Sequence, residues 1–504
     1  MRPNIRSGQD EQVSNLKQKN EPQIGLKDNK FTQANQIEIE LDVYLSRSSA
    51  LHNRNAASTH DNDSNGDLRE IGSEDGSYFL EHDPVTYPEG GLHANLVVLG
   101  AFFGLLPGWG IANSLGIIQA YIAENQLADV SNSTISWVFS IYSFLMTSST
   151  VLSGTYFDRN GARVPLLIGS ILLIASVLIV ASATKLYQFI IGFGILCGLG
   201  TGILMSPLIG VISHYFKRNR ATAMGIATNG GSLGGVIFPL MLRKLYVDVG
   251  FTWAMRVLAL ICGICLLISF FLVKERNLDN FYQRKVFATK KETVKYYLLS
   301  SFDFRSLQKD LKFLCVSIGC VFVEVSLYSS VTYYSFICMK QGFSQNEAFL
   351  FVTITNAVSI LGRTLTSIAA DKWIGRFNTI MILLVSLAFC QLVIWLPFKS
   401  NIIAMYFYCC CYGFTYGSAL SLLPAVCGQI SNTSEFGKRY STMYGTVGVS
   451  LLCLMPATAA IVKDGDNEIR TNCFIAFCAL LCLFAFAFYG SARYLCIGLK
   501  IKKF

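Results

Sequence analysis

The sequence predicts an all-α protein of twelve transmembrane spans, built as two six-helix halves related by an internal pseudo-repeat. Three observations predict it. Of 504 residues, 52% are apolar and only 14% are charged, against about 25% charged in an average soluble domain. The charges are segregated, with a net −7 over residues 1–93 and a net +16 over residues 94–504. Within the second segment, uncharged runs at 164–184, 221–242, 377–398, 440–462 and 471–492 are each 21 to 23 residues long, near the ~20 residues that cross ~30 Å of hydrocarbon at ~1.5 Å per residue.

Residues 1–93 form an acidic head rich in Asn, Ser, Asp and Glu, as in 60–76. Such a segment holds too little apolar surface to fold alone, so a disordered cytosolic tail is expected. Ser64 and Ser73 lie beside acidic residues and are candidate phosphorylation sites; a passive solvated tail is the alternative. The first 30 residues lack an apolar core, so no secretory signal is expected and the first span serves as its own insertion signal. Spans at 94–121, 134–156, 164–184, 187–213, 222–242 and 254–273 make an N-terminal bundle over 94–273. A basic cytosolic linker, 274–312, carries ten Lys and Arg. Spans at 313–338, 346–369, 377–397, 402–426, 441–462 and 472–493 make a C-terminal bundle over 313–493, and 494–504 is a short cytosolic tail.

Orientation follows from the cations, because positive loops are retained in the cytosol. Alternate loops beginning with 158–163, counted with the C-terminal tail, carry 23 Lys and Arg against 7 in the opposite loops, which places both termini in the cytosol. All sixteen cysteines lie between Cys197 and Cys496, mostly inside spans, where a thiol packs as a small apolar group. Cys262 and Cys265 have CxxC spacing without a second pair or a His, so neither a metal site, a cofactor nor a disulfide framework is expected.

The repeat is visible in two motifs. Asp158-Arg159-Asn160-Gly161-Ala162-Arg163 follows span 2, and Asp371-Lys372-Trp373-Ile374-Gly375-Arg376 follows span 8, 213 residues further on. Phe216-Lys217-Arg218 leads into span 5, and Phe436-Gly437-Lys438-Arg439 leads into span 11, 220 residues further on. Repeated halves around a midplane site are the architecture of secondary transporters. A carboxylate at a helix end, opposite cations on a tight glycine turn, can latch one conformation and release another. Asp158, Arg159, Gly161, Arg163, Asp371, Gly375 and Arg376 are the candidate latch; a pure topology signal is the alternative.

The Asp-Arg-x-Gly-x-Arg loop after span 2 resembles the signature of the major facilitator superfamily. The stretch Tyr215 to Gly235 is similar to the long span 5 motif of the monocarboxylate porter family, and Pro88-Glu89-Gly90-Gly91 resembles that family's motif before span 1, with Leu92 and His93 where an aromatic usually follows. Ser153 to Gly161, Gly428 to Ser431 and Glu435 to Tyr444 look like the yeast monocarboxylate-transporter homologues, a subgroup that includes a riboflavin carrier. The resemblance implies a major facilitator fold and alternating access. It also implies a substrate-contacting arginine in span 8, which here is Arg363. The lysine and the acid implicated in moving a proton with a carboxylate fall on Asn113 and Ser359, so proton-coupled monocarboxylate symport is not expected.

Ionisable residues inside a bilayer are costly and mark cavities or partners. Glu324 in span 7 and Arg363 in span 8 are the two such residues singled out, and a structural ion pair between them is one reading. With Asn113, Asn356 and Tyr412 they form the candidate substrate-binding set. Tyr408, Tyr412 and Tyr416 recur every four residues and share one helix face, as packing or as a binding wall. The expected function is transport of a small organic solute, with a planar riboflavin-like molecule as candidate, by symport or facilitated diffusion. A nutrient sensor that retains the carrier fold is the alternative. An enzyme is not expected, since the sequence shows no metal cluster, nucleophile constellation or nucleotide motif. The expected partners are the solute and the lipid bilayer, with no nucleic acid; a monomer is expected, in the plasma rather than the vacuolar membrane.

Overall fold

The computed structural model describes residues 87–276, 302–462, 467–500 and 502–504. The head with Ser64 and Ser73, and residues 277–301 of the linker, lie outside the described residues. Among the described residues there is no strand, and twelve helices are long and apolar enough to cross a membrane. These are α1 Leu92–Asn113, α2 Thr134–Asn160, α3 Arg163–Ala181, α4 Leu186–Ser213, α5 Arg220–Asp248, α6 Gly250–Leu272, α7 Leu311–Lys340, α8 Gln345–Ile374, α9 Arg376–Phe398, α10 Ile402–Gln429, α11 Thr433–Val462 and α12 Glu468–Ile497.

Several helices outrun the apolar runs because their first turns are capped by polar side chains that a hydropathy pattern does not register. Asp310 accepts from the Lys312 and Phe313 amides at the start of α7. Ser344 and Glu347 exchange bonds across the first turn of α8, and Asn401 and Asn467 cap α10 and α12. Each satisfies amides that a helix start otherwise leaves unpaired.

The first span departs from the expected 94–121. Helix α1 stops at Asn113, and a separate helix runs over Leu115–Glu124. Asn113 Nδ2 donates to Trp109 O and Ser114 Oγ donates to Gly110 O. Two consecutive side chains bonding back to the preceding turn compete with the backbone ladder and bend the chain there. The basic linker likewise contains a short helix, Phe304–Lys309, started by Asp303 accepting from the Ser306 amide.

Within the halves, α1 packs most extensively on α5, α8 on α10 and α7 on α12. Between them, α2 meets α11 and α5 meets α8, two interfaces that the repeat exchanges. Close approach is needed at both. A Cβ added to Gly154 of α2 would collide with Gly437 O, and one added to Gly225 of α5 would lie 2.8 Å from Arg363 O.

The loops with Arg159, Lys217, Lys372 and Lys438 share one end of the bundle, termed here the basic end. Both Tyr87 and Phe504 dock there. Tyr87 bonds Thr433 Oγ1 at 2.6 Å, and the Phe504 oxygen accepts from the Phe377 amide at 2.9 Å. Thr433 belongs to the sequon Asn432-Thr433-Ser434 and is buried. No glycan is expected on Asn432, whereas Asn132 at the opposite end is permitted one. A glycosidase-sensitive mobility shift that Asn432→Gln removes would contradict a cytosolic basic end.

Candidate functional site

Two features lie between the halves: a polar centre at mid-depth, and a pair of carboxylate contacts at the basic end.

At the centre, Arg363 projects from α8 and its guanidinium lies over the Trp109 ring of α1, 5.5 Å from the centroid. It is buried, and its Nε and Nη1 have no protein hydrogen-bond partner. Glu324 of α7 is equally buried and accepts from the Tyr444 hydroxyl of α11 at 2.9 Å. Among the described residues no ion pair joins Glu324 to Arg363, although each lies within electrostatic reach of the other and of Tyr416. The neighbouring spans thus bring the two charges into one region but give them different partners, one an aromatic face and the other a phenol.

Beside this centre, Asn356 and Tyr412 line a narrow cleft with Ser330, Tyr334, Tyr408 and Tyr416. The tyrosine repeat of α10 forms a stack. Tyr408 and Tyr412 have ring centroids 5.0 Å apart with planes 19° from parallel, and Tyr412 and Tyr416 are 5.9 Å apart at 18°. The Tyr408 hydroxyl is buried without a partner. Buried polar atoms are almost always satisfied, so the orphaned Tyr408 hydroxyl in the cleft and the two orphaned Arg363 nitrogens at the centre are donors available to the acceptors of a solute. Asn113 stands one turn beyond Trp109 on the same face of α1 and is half-buried against Gly235. Ser359 lies 2.7 Å from Ser232 Oγ, where it ties α8 to α5.

Sequence reasoning missed Trp109, Tyr444 and Thr222. Tyr440 and Tyr444 are four residues apart, the same spacing that singled out the α10 stripe, and would have signalled a second aromatic face.

At the basic end the two halves exchange equivalent contacts. Asp158, at the end of α2, accepts from the Gly437 and Lys438 amides at 2.8 and 2.7 Å. Asp371, at the end of α8, accepts from the Thr222 amide at 2.7 Å and its hydroxyl at 2.9 Å. Each carboxylate therefore meets the first α-helical turn of the partner half, which begins at Arg220 in α5 and, after a 3-10 turn over Thr433–Glu435, at Phe436 in α11, where unpaired amides and the helix dipole favour a negative charge. Arg376 pairs with Asp371 at 2.9 Å and donates on to Lys217 O and Arg218 O across the interface. The glycine turns place these groups: Gly161 and Gly375 have φ of 85° and 95°, a region side-chain-bearing residues avoid. Asp158 engages backbone of the opposite half; Arg159 and Arg163 do not supply its hydrogen bonds.

Further polar contacts brace the same face. Arg220 is buried and donates Nη1 to Gly428 O and Nη2 to Thr433 Oγ1 at 3.3 Å. Glu89 accepts from the Lys217, Arg218 and Asn219 amides, fastening the segment before α1 to the loop before α5. His214 stacks on Phe157 with centroids 5.3 Å apart. Burial, with the Arg220 and Arg276 charges, holds its imidazole down to about 4, so it is neutral near pH 7 and adds no cation beneath Asp158.

Two helical halves around a buried polar centre, sealed at one end by exchanged contacts, have the architecture of a carrier that opens to one side at a time. The chain belongs to the Major Facilitator Superfamily, whose sequence profile matches residues 92–460. It is 39% identical over 458 residues to the riboflavin transporter MCH5 of Saccharomyces cerevisiae, covering 89% of this chain and 85% of that one. It is 30% identical over 390 residues to the MFS-type transporter opdF of Penicillium oxalicum, covering 77% and 88%. Among solved structures, the human organic anion transporter MFSD10 superposes with a TM-score of 0.60 at 16% identity, covering 79% of this chain and 98% of that one. The protein is a membrane transporter of a small solute, not an enzyme.

Proposed function

We propose that this transporter carries a flavin, a planar solute rich in carbonyl and hydroxyl groups, across the plasma membrane by alternating access. The observation that carries the reading is Arg363, buried on the Trp109 face with Nε and Nη1 unpartnered beside the stacked tyrosines of α10. Guanidinium and tyrosine donors suit the edge of an isoalloxazine ring, and aromatic faces suit its plane. The 39% identity to a riboflavin transporter supports the same substrate class. Placement in the monocarboxylate porter branch rests on Pro88 to Gly91 and on the α5 motif. Asn113 and Ser359, at the positions of that branch's proton-handling groups, argue against monocarboxylate symport.

In this reading the basic end faces the cytosol, as retention of positive loops requires, and both termini lie there on a monomer. Asp158 and Asp371 hold the cytosolic side closed, and loading from the opposite side precedes their release. Glu324 and Tyr444 close the substrate cavity across α7 and α11, with Asn113, Asn356 and Tyr412 contributing neutral contacts.

Uptake of labelled riboflavin and labelled lactate, in cells lacking their own carriers, tests the proposal. Riboflavin should accumulate only when the protein is expressed, and lactate should not. Lactate uptake without riboflavin uptake would overturn it.

A further inference from the structure

We propose that a groove between α9 and α12, at the basic end of the bundle, binds a phospholipid with an anionic headgroup from the adjoining leaflet. The groove encloses about 460 Å³. Its wall is mainly apolar, formed by Met381, Ile382, Val385 and Ser386 of α9 and Phe486 of α12, and its mouth is polar, formed by Asn378 and Arg493. Ile382 and Val385 are exposed on the outside of the bundle, where a membrane-spanning helix meets lipid.

The mouth is a built cation. Arg493 Nε donates to Asn378 Oδ1 at 2.6 Å, and Nη2 donates to Lys500 O at 2.9 Å. These two bonds fix the guanidinium plane and use two of the five N–H donors that an arginine carries. Nη1 has no protein partner among the described residues. Asn378 Nδ2 also donates to Lys502 O at 3.0 Å, which ties Lys502 across the mouth, and Lys500 and Lys502 are both exposed. Lys503 is drawn the other way, to the Asp371 and Lys372 carbonyls. Among the described residues no acidic side chain lines the groove.

An occupant must therefore present a negative group to Arg493 and an apolar body to the α9 face, at the depth where a leaflet changes from headgroup to acyl chain. A phospholipid is the amphiphile available there, and clustered cations beside a span select anionic headgroups. Two parallel N–H donors on a fixed plane also match the geometry of a phosphate.

Native mass spectrometry of the full-length protein, released from nanodiscs of phosphatidylcholine with or without phosphatidylserine, tests the site. The wild type should retain phosphatidylserine in preference to phosphatidylcholine. Arg493→Gln should weaken that retention about fivefold, the equivalent of one cation at a membrane surface. Lys500→Gln with Lys502→Gln leaves the Asn378 and Arg493 bonds in place and, removing two cations, should weaken it about 25-fold. Ile382→Trp, which fills the groove, should abolish it. Equal retention of both lipids, wild-type retention in Arg493→Gln and Ile382→Trp, or equal competition by inorganic phosphate alone would each overturn the proposal.

Discussion

Arg363→Ala should reduce substrate binding by about 10- to 100-fold and abolish measurable uptake, while the protein still reaches the membrane in normal amount. Each charge-assisted hydrogen bond lost to a buried cation is worth about 1.5–3 kcal/mol. The effect belongs to binding, because Arg363 Nε and Nη1 have no protein partner to lose. A second change separates this from a structural role. Were Arg363 the counter-ion of Glu324, removing both charges would be tolerated better than removing one. The structure instead joins Glu324 to Tyr444 and lays Arg363 on Trp109. Adding Glu324→Leu to Arg363→Leu should therefore restore nothing, as read by labelled uptake normalised to surface protein. Recovery of uptake in the double variant would remove Arg363 from the substrate site.

Asp158→Asn should open the basic end. The amide keeps one acceptor oxygen but loses the charge that faces the first turn of α11, and its own NH2 meets the Gly437 and Lys438 amides. Two charge-assisted bonds and a favourable helix-end charge together amount to about 3 kcal/mol, roughly a hundredfold shift away from the closed state. Asp371→Asn removes the charge from the equivalent contact with Thr222 and should act in the same direction, also depriving Arg376 of its counter-ion. The readout is labelling of a cysteine introduced by Ser441→Cys, which lies against Gly154 inside the α2 and α11 interface. A membrane-impermeant thiol reagent applied from the basic end should reach it faster in the Asp158→Asn background. Unchanged labelling and an unchanged uptake rate would reduce the loop to a topology signal.

The periodicity of charge made the fold legible, because a bilayer forbids charge over the length of each span and so writes span boundaries into the sequence. The repeat was legible for a similar reason, since Asp158 and Asp371 follow equivalent helices in the two halves. Their partners were not. Asp158 bonds the amides of Gly437 and Lys438, and backbone amides carry no sequence signature. Arg159 and Arg163 were the conspicuous charges nearby, yet they do not hold the carboxylate. Arg363 and Glu324 stood out as intramembrane charges, but their separation depended on Trp109 and Tyr444, whose roles arise only when α1 and α11 are packed beside α8 and α7. The break after Asn113 was hidden because a polar Asn-Ser pair within an apolar run changes mean hydropathy little while bonding back to the helix.

A solute that binds between the halves and crosses as they rock is measured directly by counterflow in proteoliposomes. Vesicles holding the purified full-length protein are loaded with unlabelled riboflavin and diluted into a trace of labelled riboflavin. A carrier should drive labelled solute inward, transiently above its external concentration, and Asp158→Asn should reduce the overshoot while Arg363→Ala eliminates it. Saturable binding of riboflavin without any overshoot would contradict the account and leave a sensor that has kept the carrier fold.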